Sequence, residues 1–257
     1  MEYFIAIPSR RRLDTITKKT LPMLDDMGVR RDRIDIFVSD AEDQRAYSAR
    51  LAPGYRLHTA EPGVGAARNF IRRFYAPGTL VLCIDDDVPA VKIRTSEKTL
   101  TVLDTLDDIT TTGFRHMEQC GATIWGVYPV MNPMFMRTTI TFDLRYIAGA
   151  FYGMKVDHDP RRMCTLDDKE DYERSITHYL LDGAVVRLNY VALATTGYQG
   201  AGGMQIDRTA ARITRSALIL AHRFPKLCTI NTSKKSKKTE LRLRDRRSHR
   251  VLKNKTL

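Results

Sequence analysis

The chain has 257 residues and a formal net charge of +12, from 42 Lys and Arg against 30 Asp and Glu. Hydrophobic residues make up 43%, too many for a disordered chain, and no apolar run approaches the ~20 residues of a membrane-spanning helix. The charge is uneven: residues 234–257 carry +9 and the first 233 carry +3, so a nearly balanced body precedes a basic tail, and that asymmetry speaks to partners rather than to fold.

In chain order, Phe4–Pro8 reads as a buried strand that ends in Ser9 and an arginine run. Apolar positions at helical spacing (Leu13, Ile16, Leu21, Leu24, Met27) predict one helix over 13–27, stopped by Gly28. Ile34–Val38 is a second strand ending in Ser39-Asp40, and a helix follows over 42–51. A short strand near Tyr55–His58 comes next, and Gly63 and Gly65 open a helix over about 65–75. Thr79–Ile84 is a further core strand, and it runs directly into Asp85-Asp86-Asp87. Strands alternating with helices at this spacing imply an α/β fold with a mostly parallel sheet. Ligands of such sheets bind beyond the carboxyl ends of the strands, so Ser9, Asp40 and the acidic triplet are expected to share one crevice.

The second half is more mixed. A helix is predicted over 104–119, and strands over Ala122–Val127, Thr138–Thr141 and Tyr146–Tyr152, the last ones with antiparallel pairing. Asp168–Leu181 reads as a helix, Ala184–Asn189 as a strand, Thr195–Gly203 as a glycine-rich loop and 207–223 as the last helix. With no internal repeat and no linker before residue 230, one domain over 1–230 is expected, followed by a polar, flexible tail over 231–257. The four Cys are widely spaced with no CxxC pair, which fits core filler in a reducing compartment, cytoplasmic or nuclear. The N-terminus has no basic segment followed by a long apolar run, so no secretory signal is expected.

Three segments carry chemistry. Three carboxylates at the end of an apolar strand repel one another unless a cation joins them, and hard oxygen ligands suit Mg²⁺ or Mn²⁺, which take further ligands from water and substrate phosphates. The competing reading of Asp85–Asp87 is a solvated acidic turn. Gly63-Val64-Gly65-Ala66-Ala67-Arg68-Asn69 lacks the third Gly of a dinucleotide fingerprint; it reads as a turn and helix start whose amides, with Arg68, face a phosphate. In Asp167-Asp168-Lys169-Glu170-Asp171, the first two acids are read as complements to a helix dipole. Glu170 and Asp171 are read as the catalytic pair, because a carboxylate fixed near a helix start can act as general base.

Gly63-x-Gly65-x-x-Arg68-Asn69, a short helix, and an apolar strand into Asp85-x-Asp87 together resemble the nucleotide-sugar half of GT-A glycosyltransferases. The resemblance implies a metal-binding DxD motif at Asp85 and Asp87, with Asp86 beside it. It implies donor contacts from Pro8, Ser9, Arg10, Asp40 and Arg68. In Lys169-Glu170-Asp171-Tyr172 it implies the acidic motif of inverting members, in which Asp171 is the base. His222 is the candidate for a further C-terminal metal ligand, whereas His178, on a predicted helix, is read as structural. A narrower resemblance rests on Ile7–Arg10, Asp85–Asp87, Tyr146-Ile147-Ala148-Gly149 with Tyr152-Gly153, Lys169–Tyr172 and Gly202-Gly203. These look like the glycosyltransferases associated with TET/JBP dioxygenases, a family that includes the base J glucosyltransferase.

That likeness implies transfer from a nucleotide sugar, a UDP-sugar above all, to a hydroxymethylated pyrimidine in DNA, with Mn²⁺ or Mg²⁺ as cofactor and no membrane partner. A base inside a duplex must be flipped out or met as single strand. The tail cations Lys234, Lys235, Lys237, Lys238, Arg242, Arg244, Arg246 and Arg247 are the candidate phosphate contacts. Three rivals stand beside this reading. One is a nucleotidyltransferase acting on nucleotide sugars, against which the Gly-free Pro8–Arg12 turn counts. The others are a glycosyltransferase with a non-DNA acceptor and a binding protein that keeps the fold without catalysis.

Overall fold

The computed structural model describes residues 1–195, 203, 208–231 and 239–244. Among these, ten strands form one mixed sheet in the order β3-β2-β1-β4-β9-β7-β10-β5-β6, with β8 also on β10. The strands are β1 (Phe4–Pro8), β2 (Ile34–Val38), β3 (Arg56–Thr59), β4 (Leu80–Ile84), β5 (Ala90–Arg94), β6 (Leu100–Val102), β7 (Ile124–Tyr128), β8 (Ile140–Thr141), β9 (Phe151–Lys155) and β10 (Val186–Ala194). β1 pairs in parallel with β2 and β4, β2 with β3, and β7 with β10. β9 runs antiparallel to both β4 and β7, and β5 antiparallel to β10. The expected α/β, mixed and mostly parallel architecture is therefore present.

Period-two alternation splits the core across the sheet. Ile5, Ile7, Leu82 and Ile84 pack on one face with residues of α1 (Leu13–Lys18), α2 (Thr20–Asp26), α3 (Ala41–Arg50) and α5 (Asp107–Gln119). Ala6, Val81 and Cys83 pack on the other with α4 (Val64–Phe74), α6 (Glu170–Asp182) and α7 (Ala210–Arg223). Trp125 fills the middle of the first layer between Gly113 and Gly153; a Cβ on either glycine would overlap its ring. All four cysteines are free. Among the described residues, no helix is long and apolar enough to cross a membrane.

Four differences from the sequence expectations have physical causes. The helix expected over 13–27 is two helices that meet at Lys19, whose backbone leaves helical geometry (φ −127°, ψ −78°). Pro22 explains this, because it has no N–H and its ring crowds the carbonyl four residues back, so it fits only a first turn. The strand expected over Tyr146–Tyr152 begins only at Phe151, because Tyr146, Ala148, Gly149 and Ala150 line the site instead. β5 and β6 were not expected; Lys92 and Arg94 hide the apolar alternation of that hairpin. Finally, the boundary at residue 230 falls inside a hairpin: β11 (Cys228–Ile230) pairs antiparallel with β12 (Leu241–Leu243), and Leu241 enters the core. Part of the tail is thus built into the body.

The helix break has a structural use. It places the buried Thr20 so that its hydroxyl donates to the Asp85 carbonyl (2.8 Å) and accepts the Val88 N–H (3.0 Å), clamping both ends of the acidic turn. Thr20→Val keeps the shape and leaves two buried main-chain groups unpaired, so urea unfolding should show a loss of about 2 kcal/mol. A change below about 0.5 kcal/mol, the scale of an ordinary surface substitution, would show that the clamp carries no load.

Candidate functional site

The carboxyl ends of β1, β2, β3, β4 and β7 open into one cleft of about 420 Å³. Pro8, Ser9, Arg10, Arg12, Arg68, Asp85, Asp86, Asp87, Tyr146, Gly149, Glu170 and Asp171 all line it. The triplet and the Glu170-Asp171 pair, 83 or more positions apart in sequence, therefore face the same space.

The triplet is held by guanidinium groups. Arg12 spans two carboxylates, with Nη1 2.7 Å from Asp86 and Nη2 3.1 Å from Asp87. Arg68 lies 2.5 Å from Asp85 and donates to the Gly149 carbonyl at 2.9 Å. Ser9 donates to Asp86 (2.6 Å) and bonds the Tyr47 hydroxyl (2.7 Å). Burial pushes the Asp86 carboxyl up to about 7 against the pull of Arg12 and Ser9.

Arg12 reaches this position through a turn that α3 enforces. Arg11 has a left-handed backbone (φ 53°), a conformation that costs a side-chain-bearing residue about 1–2 kcal/mol. Its N–H donates to both oxygens of Asp43 (3.2 and 3.1 Å), and the Arg12 N–H donates to Tyr47 (3.2 Å). Asp43 and Tyr47 stand four apart on one face of α3, which explains why this helix has a polar buried face. Asp40, expected in the crevice, instead caps α3 by accepting the Asp43 N–H at 2.8 Å, and that bond holds its carboxyl below the usual range. Ser39 lines the cleft in its place.

The Gly63–Asn69 motif also has local explanations. Gly63 takes φ 102° at the start of α4. A Cβ on Gly65 would lie 2.6 Å from the Leu166 carbonyl, so glycine permits the loop before α6 to approach. The Gly65 N–H is taken by Asp167 at 3.1 Å, which corrects the expectation that this amide is free for a phosphate. Asn69 donates to the Cys164 carbonyl and accepts its N–H, both at 2.8 Å. Asp168 is buried against Arg208 (2.9 Å) and Arg212 (3.4 Å). Asp167 and Asp168 thus fasten α4 and α7 to the site rather than serving the dipole of α6, which starts at Glu170.

At that start, Lys169 is left-handed (φ 65°) and buried, with its ammonium 2.9 Å from Glu240 at the foot of the C-terminal hairpin. Asp171 is half-buried. It accepts a short hydrogen bond from the Tyr146 hydroxyl and a 3.0 Å bond from the Tyr172 N–H. Burial, then Asp171, raises the Tyr146 phenol well above its ordinary value. Glu170 is buried beneath Gly149, where a Cβ would come within 3.0 Å of its carboxyl oxygen. Burial, then the neighbouring Asp171, pushes Glu170 up to about 8 although Arg174 and Arg68 oppose the shift.

His222 is exposed near the end of α7. It lies ten residues beyond Arg212, or ~15 Å along the helix, and does not line the cleft. The geometry does not bring it to the carboxylates, and among the described residues no group of three His, Cys, Asp or Glu is placed to hold a metal. His178 is buried, bonds Arg72 and Thr123, and is pushed down to about 3 by burial, in keeping with a structural role. Lys234, Lys235, Lys237, Lys238, Arg246 and Arg247 lie outside the described residues, as does Gly202; Arg242 sits on β12 and Arg244 follows it. Sequence reasoning missed Arg12, Thr20, Tyr47 and the role of Tyr146; only the arginine run after β1 hinted at the first.

No protein-family model and no curated protein matches the chain. Among solved structures, residues 1–349 of S. aureus TarS in complex with UDP-GlcNAc superimpose with a TM-score of 0.56 at 14% identity, over 86% of this chain and 67% of that one. The UDP complex of the same TarS fragment gives 0.52 at 13% identity, over 86% and 66%. The Pyrobaculum calidifontis mannosyltransferase PcManGT, with GDP-Man and Mn²⁺, gives 0.49 at 15% identity, over 87% and 63%. This chain spans about two-thirds of the TarS fragment, and at these identities the likeness to TarS is one of fold.

The Glu170 carboxyl makes a signed pH prediction. Its folded value lies above the ordinary 4.5, so the folded state binds the proton more tightly and stability falls as pH rises from about 4.5 to about 8. Glu170→Gln removes that loss. Melting curves of variant and wild type should agree at pH 5 and separate at pH 9 in favour of the variant; parallel behaviour would contradict a buried neutral Glu170.

Proposed function

We propose that the protein is a metal-dependent glycosyltransferase that uses a nucleotide sugar and inverts the anomeric centre. The observation that carries this reading is the convergence of Asp85–Asp87 and Glu170-Asp171 on one cleft at the carboxyl ends of the strands. The TarS-like fold, whose matched structures contain UDP-GlcNAc and UDP, supports a UDP-sugar as donor.

Asp85, one-third exposed, and Asp87 would hold Mn²⁺ or Mg²⁺. Two carboxylates fit such an ion when diphosphate oxygens and water complete its shell, and Arg12 shares Asp87 with it. Bound there, the ion supplies neutralisation of charge on the departing diphosphate. Arg12 and Arg68 keep the triplet in place and add positive charge beside the phosphates. Asp171, with one oxygen steadied by Tyr146, accepts the proton of the acceptor hydroxyl. The hydroxyl oxygen bonds to the anomeric carbon as the bond from that carbon to the diphosphate oxygen breaks, in a single displacement. Glu170, uncharged below about pH 8, leaves Asp171 as the base.

For the acceptor we propose a hydroxymethylated pyrimidine in DNA. The support is the set of sequence motifs given above and the cationic tail. The test is to incubate the protein with hydroxymethylcytosine or hydroxymethyluracil DNA, a panel of nucleotide sugars and Mn²⁺, and to weigh the released nucleosides. A sugar-sized mass gain is expected. Asp171→Asn should slow it by about 10²–10⁴-fold with donor affinity unchanged, whereas equal loss of donor binding would make Asp171 a binding residue. No mass gain with any donor would remove the DNA acceptor, and pyrophosphate release from a nucleoside triphosphate would favour nucleotidyl transfer. Deleting residues 245–257 spares the hairpin and should weaken DNA binding and flatten its salt dependence; an unchanged slope would reject the tail's role.

A further inference from the structure

One exposed apolar feature stands at the lip of this cleft and is not used by the chemistry above. Tyr128 and Pro129, at the end of β7, line the cleft. The chain then runs outward through Val130, Met131, Met134 and Phe135, which are 51%, 44%, 67% and 62% exposed. Exposed Met and Phe at these levels leave unburied the apolar area that a partner would cover.

The loop is stiff. Asn132 N–H donates to the Val130 carbonyl (2.8 Å), Phe135 N–H to the Asn132 carbonyl (3.1 Å), and Met134 N–H to the Asn132 side chain (3.1 Å). Two arginines bond its carbonyls. Arg94 Nε donates to the Pro133 carbonyl at 2.9 Å, and Arg137 Nη1 donates to the Met134 and Met136 carbonyls at 3.2 and 3.1 Å. Buried Met136 anchors the base. The tip is therefore held out before any partner arrives, which reduces the ordering cost of binding.

The charge near the tip favours an anionic partner. From Pro129 to Phe142 there is no acidic residue. Arg94 and Arg137 bond carbonyls, and those bonds leave their positive charge in place. Lys92 shares the face of β5 with Arg94, two residues away. An apolar Met-Phe tip with cations beside it matches a base stack flanked by phosphates, in the way that wedge residues enter DNA between base steps.

We propose that Met134 and Phe135 form a wedge that enters the DNA base stack beside the target nucleotide and holds the space it leaves, so that the flipped base reaches Asp171. This rests on the DNA-acceptor reading above. Unstacking a base step is unfavourable, and the wedge replaces part of the lost stacking with its own contact.

The test uses the full chain, and a double variant Met134→Ser/Phe135→Ser. Both residues are exposed, so the variant's melting temperature should match the wild type. The probes are a duplex and a single strand, each carrying hydroxymethylcytosine next to 2-aminopurine. Wild type at saturation should raise the duplex 2-aminopurine fluorescence severalfold. The variant should bind the single strand as wild type does and give no such rise on the duplex. An equal rise with the variant would overturn the wedge and leave the DNA acceptor standing, and so would loss of single-strand binding with the wedge residues. If wild type binds neither probe at low salt, the DNA acceptor falls and the wedge with it. Binding of the wild type, but not the variant, to anionic phospholipid vesicles in that case would assign the tip to a lipid surface.

Discussion

Three consecutive carboxylates at the end of a buried strand stay ordered only if cations are brought to them. At an effective dielectric near 20, like charges ~4 Å apart repel by roughly 4 kcal/mol, and Asp86 and Asp87 are almost fully buried. The fold meets this with Arg12 across Asp86 and Asp87 and Arg68 on Asp85. Much of the surrounding architecture can be traced to delivering those two side chains. The left-handed Arg11 and the polar face of α3 bring Arg12, and α4 and the Gly149 carbonyl place Arg68. The break before Thr20 clamps the turn itself.

The same constraint links distant segments. Arg68 touches Gly149, Gly149 lies on Glu170, and Glu170 adjoins the base candidate Asp171, which Tyr146 holds. Behind Asp171, the left-handed Lys169 pairs with Glu240, and the Tyr172 hydroxyl donates to the Leu241 carbonyl. The start of α6 is therefore supported by the hairpin that interrupts the basic tail. The C-terminal hairpin is therefore anchored beside the residues that carry the candidate base.

How much of this was legible in the sequence depends on the kind of signal. The strands β1, β2 and β4 are short apolar runs with turn residues after them, so their place and the crevice at their ends could be read directly. Ser9 and Asp85–Asp87 could be read because parallel strands deliver their carboxyl ends to one edge, Arg68 because it follows the glycines that open a helix, and Glu170-Asp171 because carboxylates at a helix start suit a general base. Arg12 was missed because its meeting with Asp86 spans 74 positions and the arginine run offered three equal choices. Asp40 misled because a strand-end acid before a helix serves equally as a cap, and His222 misled because periodicity does not say how far along a helix the site lies. The β5–β6 hairpin was hidden by charged residues on a half-exposed edge. The chain 241–243 read as tail because a three-residue strand leaves almost no pattern.

The proposed reaction requires the cleft to hold a nucleoside diphosphate sugar against the triplet. Isothermal titration of the protein with UDP-, GDP- and ADP-linked sugars, with and without Mn²⁺, measures this. Saturable one-to-one binding of one nucleotide class is expected, strengthened by Mn²⁺ and abolished in Asp85→Asn/Asp87→Asn. Absence of binding by any nucleotide sugar, or binding that survives in the double variant, would contradict it.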